Sequence, residues 1–285
     1  ALDIDEGVIN MEYDLRTCDS AYKFVLEFMN MTDGDYFSEF FIECEKNYEL
    51  FWKRNIERIE SVDISRLKII AFHIVCSLDE CREIKINGLM DLQKVLSQDT
   101  MLKRMLEKSG IEFDLPNKCI ICDGKKYDID YDNYSGKVDL TGDEENLKNV
   151  ARRVFYDYCI NGFMYNNDVT SYGANIHERP EILMTLSKLS KKAEGLECFW
   201  KSNAKSYRID FYATIDQVHR SNFELDESKD PPYNDWNQLN DNMKIKKWML
   251  SHAIEKTEID SGEAFLYIKD GVIIPSSHII EINEF

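Results

Sequence analysis

An apolar stretch that stops abruptly constrains the fold of this chain more than any other part of its sequence. Residues 69–75 are apolar except for His73, and this pattern predicts a buried strand. Ser77 followed by Glu80 matches a capping box, in which a hydroxyl and a carboxylate each bond a backbone amide of the first helical turn. The sequence therefore predicts a strand that leads directly into a short helix, ended by Gly88 in the left-handed conformation.

His73 has two interpretations at this position. An imidazole that leaves a strand beside a helix N-terminus could hold the hydroxyl or phosphate of a ligand. Alternatively, His73 is a half-buried strand residue whose ring bonds a backbone group. The spacing by itself favours the second interpretation.

The composition restricts the class of protein. The 285 residues are 44% hydrophobic and 31% charged, which is typical of a globular chain with one large domain or two small ones. No apolar run reaches membrane-spanning length, and no basic segment precedes an apolar one at the N-terminus. The eight cysteines are scattered, as in proteins of a reducing compartment. We therefore expect a cytoplasmic protein that has no membrane partner.

The net charge of −18 argues against a broad electrostatic grip on DNA or RNA, because an acidic surface repels the phosphate backbone. A local basic groove could still hold nucleic acid. The charge would steer a basic protein partner toward the chain.

The first part of the chain has a helical pattern. Apolar residues recur at helical spacing over residues 20–31 and 37–59, and the second segment forms a wide aromatic stripe. Such a stripe is more typical of core packing than of a cofactor site. The pattern predicts a helical N-terminal part over residues 1–65, followed by an α+β domain over residues 66–285.

The later part mixes strands and helices. Alternation around Asp123-Gly124 predicts a β-hairpin, and Thr141 with Glu144 predicts a capped helix that ends at Gly162. A strand is expected at 163–165. The other predicted elements are helices at 99–108, 180–189 and 236–254, a strand at 199–211, a loop at 226–235, a hairpin of 264–268 with 272–275, and a strand at 278–282.

Cys119 and Cys122 form a CxxC pair, which could be half of a zinc site. A tetrahedral structural site needs a second pair, and Cys76 with Cys81 is the nearest in sequence. Two apolar thiols of a strand are the favoured interpretation.

Three segments form a pattern in chain order: His73 with Gly88-Leu89, residues 162–165, and Glu263 with Ile274-Pro275. Together they resemble the ADP-ribosyltransferase superfamily. The closer likeness is to the branch of the poly-ADP-ribose polymerases and the DNA-modifying ADP-ribosyltransferase toxins. In that branch a His-bearing strand leads to a helix ending in Gly-Leu, as His73 leads to Gly88-Leu89 here. A Glu opens a late strand that is followed by Ile-Pro, as Glu263 precedes Ile274-Pro275. Between them, the segment 162–165 is similar to the strand that carries an NAD-stacking tyrosine.

The resemblance implies a split β-sheet core and a site for NAD, which would be consumed as a substrate. His73, with the backbone at Ile74, would hold the adenosine-side ribose or the nicotinamide amide, next to the Gly88 turn. Tyr165 would stack on the nicotinamide ring, and Glu263 would bond the nicotinamide-ribose hydroxyl. Other tyrosines that could take the stacking role are Tyr172, Tyr207 and Tyr212.

The chemistry explains why a carboxylate is needed there. Cleavage of the nicotinamide–ribose bond builds oxocarbenium-like positive charge, and a fixed anion lowers the barrier because it stabilises that charge as it develops. The same carboxylate can help to deprotonate the acceptor. The alternative for Glu263 is a solvated residue at the start of a strand.

Arg179 also has two interpretations. Its guanidinium, just before a predicted helix, could reach the pyrophosphate of NAD. Alternatively, Glu178 and Glu181 complement the helix N-terminus and pair with Arg179, which the local sequence favours.

The resemblance implies an NAD-dependent mono-ADP-ribosyltransferase, such as a bacterial toxin or a phage-defence effector. The acidity of the chain favours a protein as the acceptor, and single-stranded nucleic acid held in a local groove is the alternative. A protein inhibitor is a further possible partner. An RNA 2′-phosphotransferase would also use NAD, but no arginine cluster accompanies His73 in the sequence. The third alternative is a non-catalytic interaction module that docks a partner through the aromatic N-terminal helices.

Overall fold

The computed structural model describes residues 11–226, 232 and 235–285. The first ten residues of the predicted N-terminal part and most of the predicted loop at 226–235 lie outside the described residues. The α-helices are α1 (Cys18–Met29), α2 (Asp33–Tyr36), α3 (Tyr48–Arg54), α4 (Ile56–Ser61), α5 (Arg82–Asn87), α6 (Leu92–Ser97), α7 (Met101–Lys108), α8 (Asp143–Phe155), α9 (Glu181–Leu186), α10 (Lys191–Asn203) and α11 (Asp241–Glu258). The strands are β1 (Glu12–Tyr13), β2 (Lys68–Ser77), β3 (Ile111–Asp114), β4 (Cys119–Cys122), β5 (Lys125–Asp128), β6 (Asn161–Asn166), β7 (Lys205–Thr214), β8 (Glu263–Tyr267) and β9 (Ile279–Glu284). This mixture of helices and strands agrees with the predicted α+β class.

The chain forms two compact units that are interleaved along the sequence. The first unit contains the described residues up to Ala71, Phe163–Asn167, and the described residues of Tyr212–Leu266. The second unit contains Phe72–Gly162, Asp168–Phe211 and Tyr267–Phe285. Strands β2, β6, β7 and β8 therefore contribute residues to both units. The predicted division between residues 65 and 66 stays a prediction.

One sheet has the strand order β8-β6-β2-β7-β9, with β1 paired to β2. The β1–β2 pair is parallel, whereas β7 and β9 are antiparallel, with an irregularity between Asp210 and Phe211. Strand β2 has neighbours on both sides, and its residues Ile69–Phe72 are all buried. This explains the apolar run in the sequence, because the side chains on both faces of a central strand can be buried.

Helices α1 and α11 pack together in the first unit. Phe24 and Phe28 of α1 are almost fully buried, and α1 begins with a capping box between Thr17 and Ser20. The helix predicted over 37–59 is interrupted. It consists of a π-helix (Phe37–Glu43), α3 and α4, because Glu45 and Lys46 adopt positive φ angles between the first two pieces.

A small antiparallel sheet of β3, β4 and β5 lies in the second unit. Its β4–β5 turn has φ angles of 53° at Asp123 and 77° at Gly124, and two consecutive positive φ angles favour a two-residue hairpin. The predicted hairpin is confirmed. Helix α8 buries one face, which contains Leu147, Val150, Ala151 and Val154.

The two capping boxes predicted from the sequence, at Ser77 and at Thr141, are wrong. Helix α5 begins at Arg82, and the Ser77 hydroxyl instead accepts bonds from the backbone amides of Asp79 and Cys81 in the preceding turn. Helix α8 begins at Asp143 after Gly142, so Thr141 does not cap it. Serine and threonine bond nearby amides equally well in turns, and the motif by itself does not separate the two.

Other predicted boundaries were also wrong. Helix α8 ends at Phe155, and Gly162 instead lies within β6. Helix α10 was not predicted, and it includes the first residues of the strand expected at 199–211. Residues 272–275 do not form the second strand of a hairpin, since Ile274 makes an isolated bridge to Leu89. No helix among the described residues is both long enough and apolar enough to span a bilayer.

Candidate functional site

The predicted site residues are divided between the two units. Tyr165 and Glu263 belong to the first unit. Those in the second unit are His73, Ile74, Gly88, Tyr172 and Arg179. Each group is described separately below.

Glu263 is the first residue of β8, as the sequence predicts, and it is exposed. Asn166, the last residue of the neighbouring strand β6, donates a hydrogen bond from Nδ2 to Oε2 of Glu263 over 2.8 Å. The carboxylate is therefore held at the end of a strand pair by an uncharged donor. Such a contact orients the carboxylate without neutralising its charge.

Separate contacts fix the backbone just ahead of Glu263. Asn167 donates from Nδ2 to the carbonyl oxygen of Asp260 over 2.7 Å. Lys256 of α11 forms an ion pair with the Asp260 carboxylate at 3.0 Å. The turn that leads into β8 is thus attached both to the end of β6 and to α11.

Tyr165 lies near this turn, and its ring is half-buried. The buried ammonium of Lys256 is 4.3 Å from the ring centroid, a cation–π contact. A Cβ atom placed on Gly262 would lie 4.0 Å from Cε2 of Tyr165. Burial raises the pKa of the Tyr165 hydroxyl, with a smaller contribution from the Glu255 carboxylate, so the phenol stays protonated at neutral pH.

Tyr165 and Glu263 lie on neighbouring strands of the first unit, β6 and β8. The rings of Phe163 in β6 and Phe265 in β8 are 5.2 Å apart, so side chains of the two strands are in contact. Asn166, which directly follows Tyr165 in β6, bonds the Glu263 carboxylate.

His73 is half-buried in β2, and its Nδ1 lies 2.7 Å from the carbonyl oxygen of Asn161. A carbonyl only accepts hydrogen bonds, so Nδ1 carries the proton. Burial lowers the pKa of the His73 imidazole, although this hydrogen bond acts in the opposite direction. The ring is therefore neutral near pH 7, and Nε2 is an acceptor.

At Gly88 and Ile74, which are also predicted to bind NAD, the relevant feature is the backbone. Gly88 has a φ angle of 78°, and a Cβ atom there would lie 2.1 Å from the carbonyl oxygen of Ile274. The adjacent Leu89 exchanges two backbone hydrogen bonds with Ile274, over 2.9 and 3.0 Å. The predicted helix end at Gly88 is confirmed, and glycine is required because the two backbones approach so closely. Ile74 is buried, so the predicted contact at this position would use its backbone.

Arg179 is buried and forms an ion pair with Glu197 of α10, with Nε 2.8 Å from Oε1. Its Nη1 donates to the carbonyl of Asn175 over 2.9 Å. The local pairing predicted from the sequence is wrong for Glu181, which pairs with Arg153. Sequence neighbours are poor guides here because α10, which supplies Glu197, was not predicted.

Burial alone would raise the pKa of the Glu197 carboxyl, but hydrogen bonds from Arg179, Ser187 and Lys201 lower it to about 2. Glu197 is therefore ionised at neutral pH, and its ion pair with Arg179 is part of the interior of the second unit. The predicted contact of Arg179 with a pyrophosphate stays a prediction.

The alternative tyrosines have other surroundings. Tyr172 is half-buried and directly precedes a 3₁₀-helix at Gly173–Asn175. Tyr207 is buried. The ring of Tyr212 lies 4.8 Å from the ammonium of Lys68.

Cys119 and Cys122 are buried free thiols of β4, which agrees with the favoured interpretation of this pair. In the part of the chain that the structure describes, no group of three or more His, Cys, Asp and Glu side chains could hold a metal ion.

The sequence interpretation missed Asn166 and Lys256. Asn166-Asn167 was assigned to a polar turn, and the available signal was that two amides directly follow a strand with a candidate tyrosine. Lys256 gives no comparable signal, because its contact with Tyr165 depends on the packing of α11.

Comparisons with family models, curated proteins and solved structures found no match to this chain.

Proposed function

We propose that this chain is an NAD-dependent mono-ADP-ribosyltransferase whose catalytic residue is Glu263. The observation that carries the proposal is the placement of this carboxylate. It is exposed at the first residue of β8 and is oriented by Asn166, the residue that follows Tyr165 in the neighbouring strand β6. An exposed, oriented anion suits a substrate whose sugar develops positive charge during the reaction.

The reaction exchanges one bond at C1′ of the nicotinamide ribose for another. The bond to nicotinamide breaks, and its electron pair leaves with the nicotinamide nitrogen. Positive charge develops on the ribose, where the Glu263 carboxylate stabilises it. The acceptor then bonds to C1′, and its proton passes to the carboxylate acting as a general base.

Tyr165 and His73 have binding roles in this proposal. Tyr165 would stack on the nicotinamide ring with the face that is not turned toward Lys256. The neutral ring of His73 would accept a hydrogen bond at Nε2 from a ribose hydroxyl or from the nicotinamide amide. Its Nδ1–H bond to Asn161 fixes the ring orientation that this requires.

The net charge of −18 makes a protein acceptor more favourable than a phosphate-rich nucleic acid. An activity of this kind would suit a bacterial toxin or a phage-defence effector that acts in the cytoplasm.

The test is nicotinamide release from labelled NAD by the full chain, with cell lysate as a source of acceptors. Glu263→Ala should lower the rate by about 10²–10³-fold, the usual loss when one charge-stabilising group is removed. Glu281→Ala is the matched control, because Glu281 is an exposed strand glutamate of β9, and it should keep the wild-type rate. The proposal is wrong if the wild-type chain releases no nicotinamide, or if Glu263→Ala releases it as fast.

A further inference from the structure

We infer that Asn166 is a positioning residue that acts through Glu263, an inference that rests on the proposed function. The side-chain amide of Asn166 is 2.8 Å from Oε2 of Glu263. An ionised carboxylate only accepts hydrogen bonds, so the amide nitrogen must face it. Asn166 therefore has one defined orientation, with Nδ2 as the donor.

The hydrogen bond between Asn166 and Glu263 restricts the conformation of the Glu263 side chain. Asn166 ends β6 and Glu263 begins β8, so the contact lies at the end of the strand pair. Glu263 is exposed, and packing does not restrict the rotamer of its long side chain. The hydrogen bond from Asn166 selects one rotamer of the carboxylate.

The backbone before Glu263 does not depend on this bond. It is held at Asp260 by Asn167 and Lys256, over 2.7 and 3.0 Å. The two consecutive asparagines thus have different partners, a backbone carbonyl for Asn167 and a carboxylate for Asn166. Loss of the Asn166 amide should release the Glu263 side chain and leave the course of the backbone unchanged.

An uncharged donor suits a catalytic carboxylate. It adds no positive charge that would compete with the developing charge on the ribose. Because the charge appears only in the transition state, removal of the amide should lower kcat and have little effect on KM.

The experiment measures kcat and KM for NAD with the full chain. Asn166→Ala should lower kcat about tenfold, as expected for a hydrogen bond to a charged group, with KM unchanged within about twofold. Asn166→Asp has the same shape but places a second carboxylate beside Glu263, so kcat should fall further. Asn203→Ala is the control, since Asn203 is an exposed asparagine that donates to a carbonyl of its own helix, and it should keep the wild-type kcat.

A double-mutant cycle separates positioning from general loosening of the structure. If Asn166 acts through Glu263, then Asn166→Ala should cause no further loss in the Glu263→Ala background. The inference is overturned if the loss is the same in both backgrounds, or if Asn166→Asp keeps the wild-type kcat.

The two proposals fail in different ways. A wild-type chain that releases no nicotinamide overturns the proposed function and this inference together. If wild type and Glu263→Ala behave as proposed while the Asn166 variants match wild type, only the inference is overturned.

Discussion

Glu263 in the first unit and Glu197 in the second are both glutamates with a defined hydrogen-bond donor, but their surroundings are opposite. Glu263 is exposed at the end of a strand pair and accepts from the uncharged amide of Asn166. Glu197 is buried and accepts from the guanidinium of Arg179, with Lys201 also within 3.1 Å. The first carboxylate keeps an accessible negative charge, whereas the charge of the second is compensated inside the unit.

The difference shows which kind of carboxylate is suited to stabilise positive charge on a ligand. Positive charge that develops on a ligand gains little from an anion that two cations already neutralise. It gains most from an anion that is oriented but not neutralised. Conversely, removal of one partner of a buried ion pair is strongly destabilising, because it leaves the other charged group uncompensated. Three changes can break or sharpen this contrast.

The largest effect on stability is expected for Arg179→Met. This variant keeps the buried length of the side chain but removes the guanidinium from Glu197, so the free energy of unfolding should fall by about 3 kcal/mol. Urea unfolding followed by tryptophan fluorescence measures the change. Arg179→Met combined with Glu197→Leu should recover most of the loss, since neither charge then remains. An Arg179→Met chain as stable as wild type would contradict a structural role for this pair.

The acid dependence of stability should come next in size. The pKa of the Glu197 carboxyl falls from 4.5 to about 2 on folding, so its contribution is complete above pH 4.5 and is lost as the pH falls from 4.5 to 2. Between pH 6 and pH 3, wild type should lose about 2 kcal/mol more stability than Glu197→Gln, which lacks the titrating group. Parallel stability curves for the two chains would show that Glu197 is not strongly coupled to folding.

The smallest effect on stability is expected for Glu263→Gln. The side chain is exposed and keeps its shape, so the free energy of unfolding should change by less than about 0.5 kcal/mol. Nicotinamide release should nevertheless fall strongly. Equal thermal midpoints together with a lost activity would sharpen the contrast with Arg179→Met, whereas a large destabilisation would place Glu263 among the structural groups.

Local sequence predicted much of the backbone correctly. The Asp123-Gly124 hairpin follows from the positive φ angles that these residues tolerate, and the end of α5 at Gly88 follows from the same property. The start of β8 at Glu263 and the apolar strand β2 were also predicted. In each case the decisive information lies within a few neighbouring residues.

The same local information failed where an equivalent alternative existed. Ser77 and Thr141 fit a capping motif, yet Ser77 bonds a turn and Thr141 lies ahead of a helix that begins without it. Residues 272–274 are apolar and β-branched, as is typical of a strand, but Ile274 pairs with Leu89 and makes no hairpin. Which partner a segment finds depends on distant parts of the chain.

In the candidate site, too, local sequence predicted some features, whereas contacts between distant residues were not predicted. The sequence, with its family resemblance, identified His73, Tyr165 and Glu263 as site residues, and that assignment stays a prediction. It could not identify Asn166 as the donor to Glu263, because 97 positions separate the two residues. Nor could it show Lys256 against the ring of Tyr165, a contact between a helix and a strand.

The amino-acid sequence by itself determined the turn at Asp123-Gly124, the helix end at Gly88 and the buried central strand β2. It also determined that a glutamate opens a late strand. These features depend on backbone propensities and on neighbouring side chains, which act over a few residues. Only the tertiary structure decided which partner each charged group has, an amide for Glu263 and a guanidinium for Glu197. Hydrogen bonds and ion pairs act over a few ångströms in space, so the packing of strands and helices selects their partners.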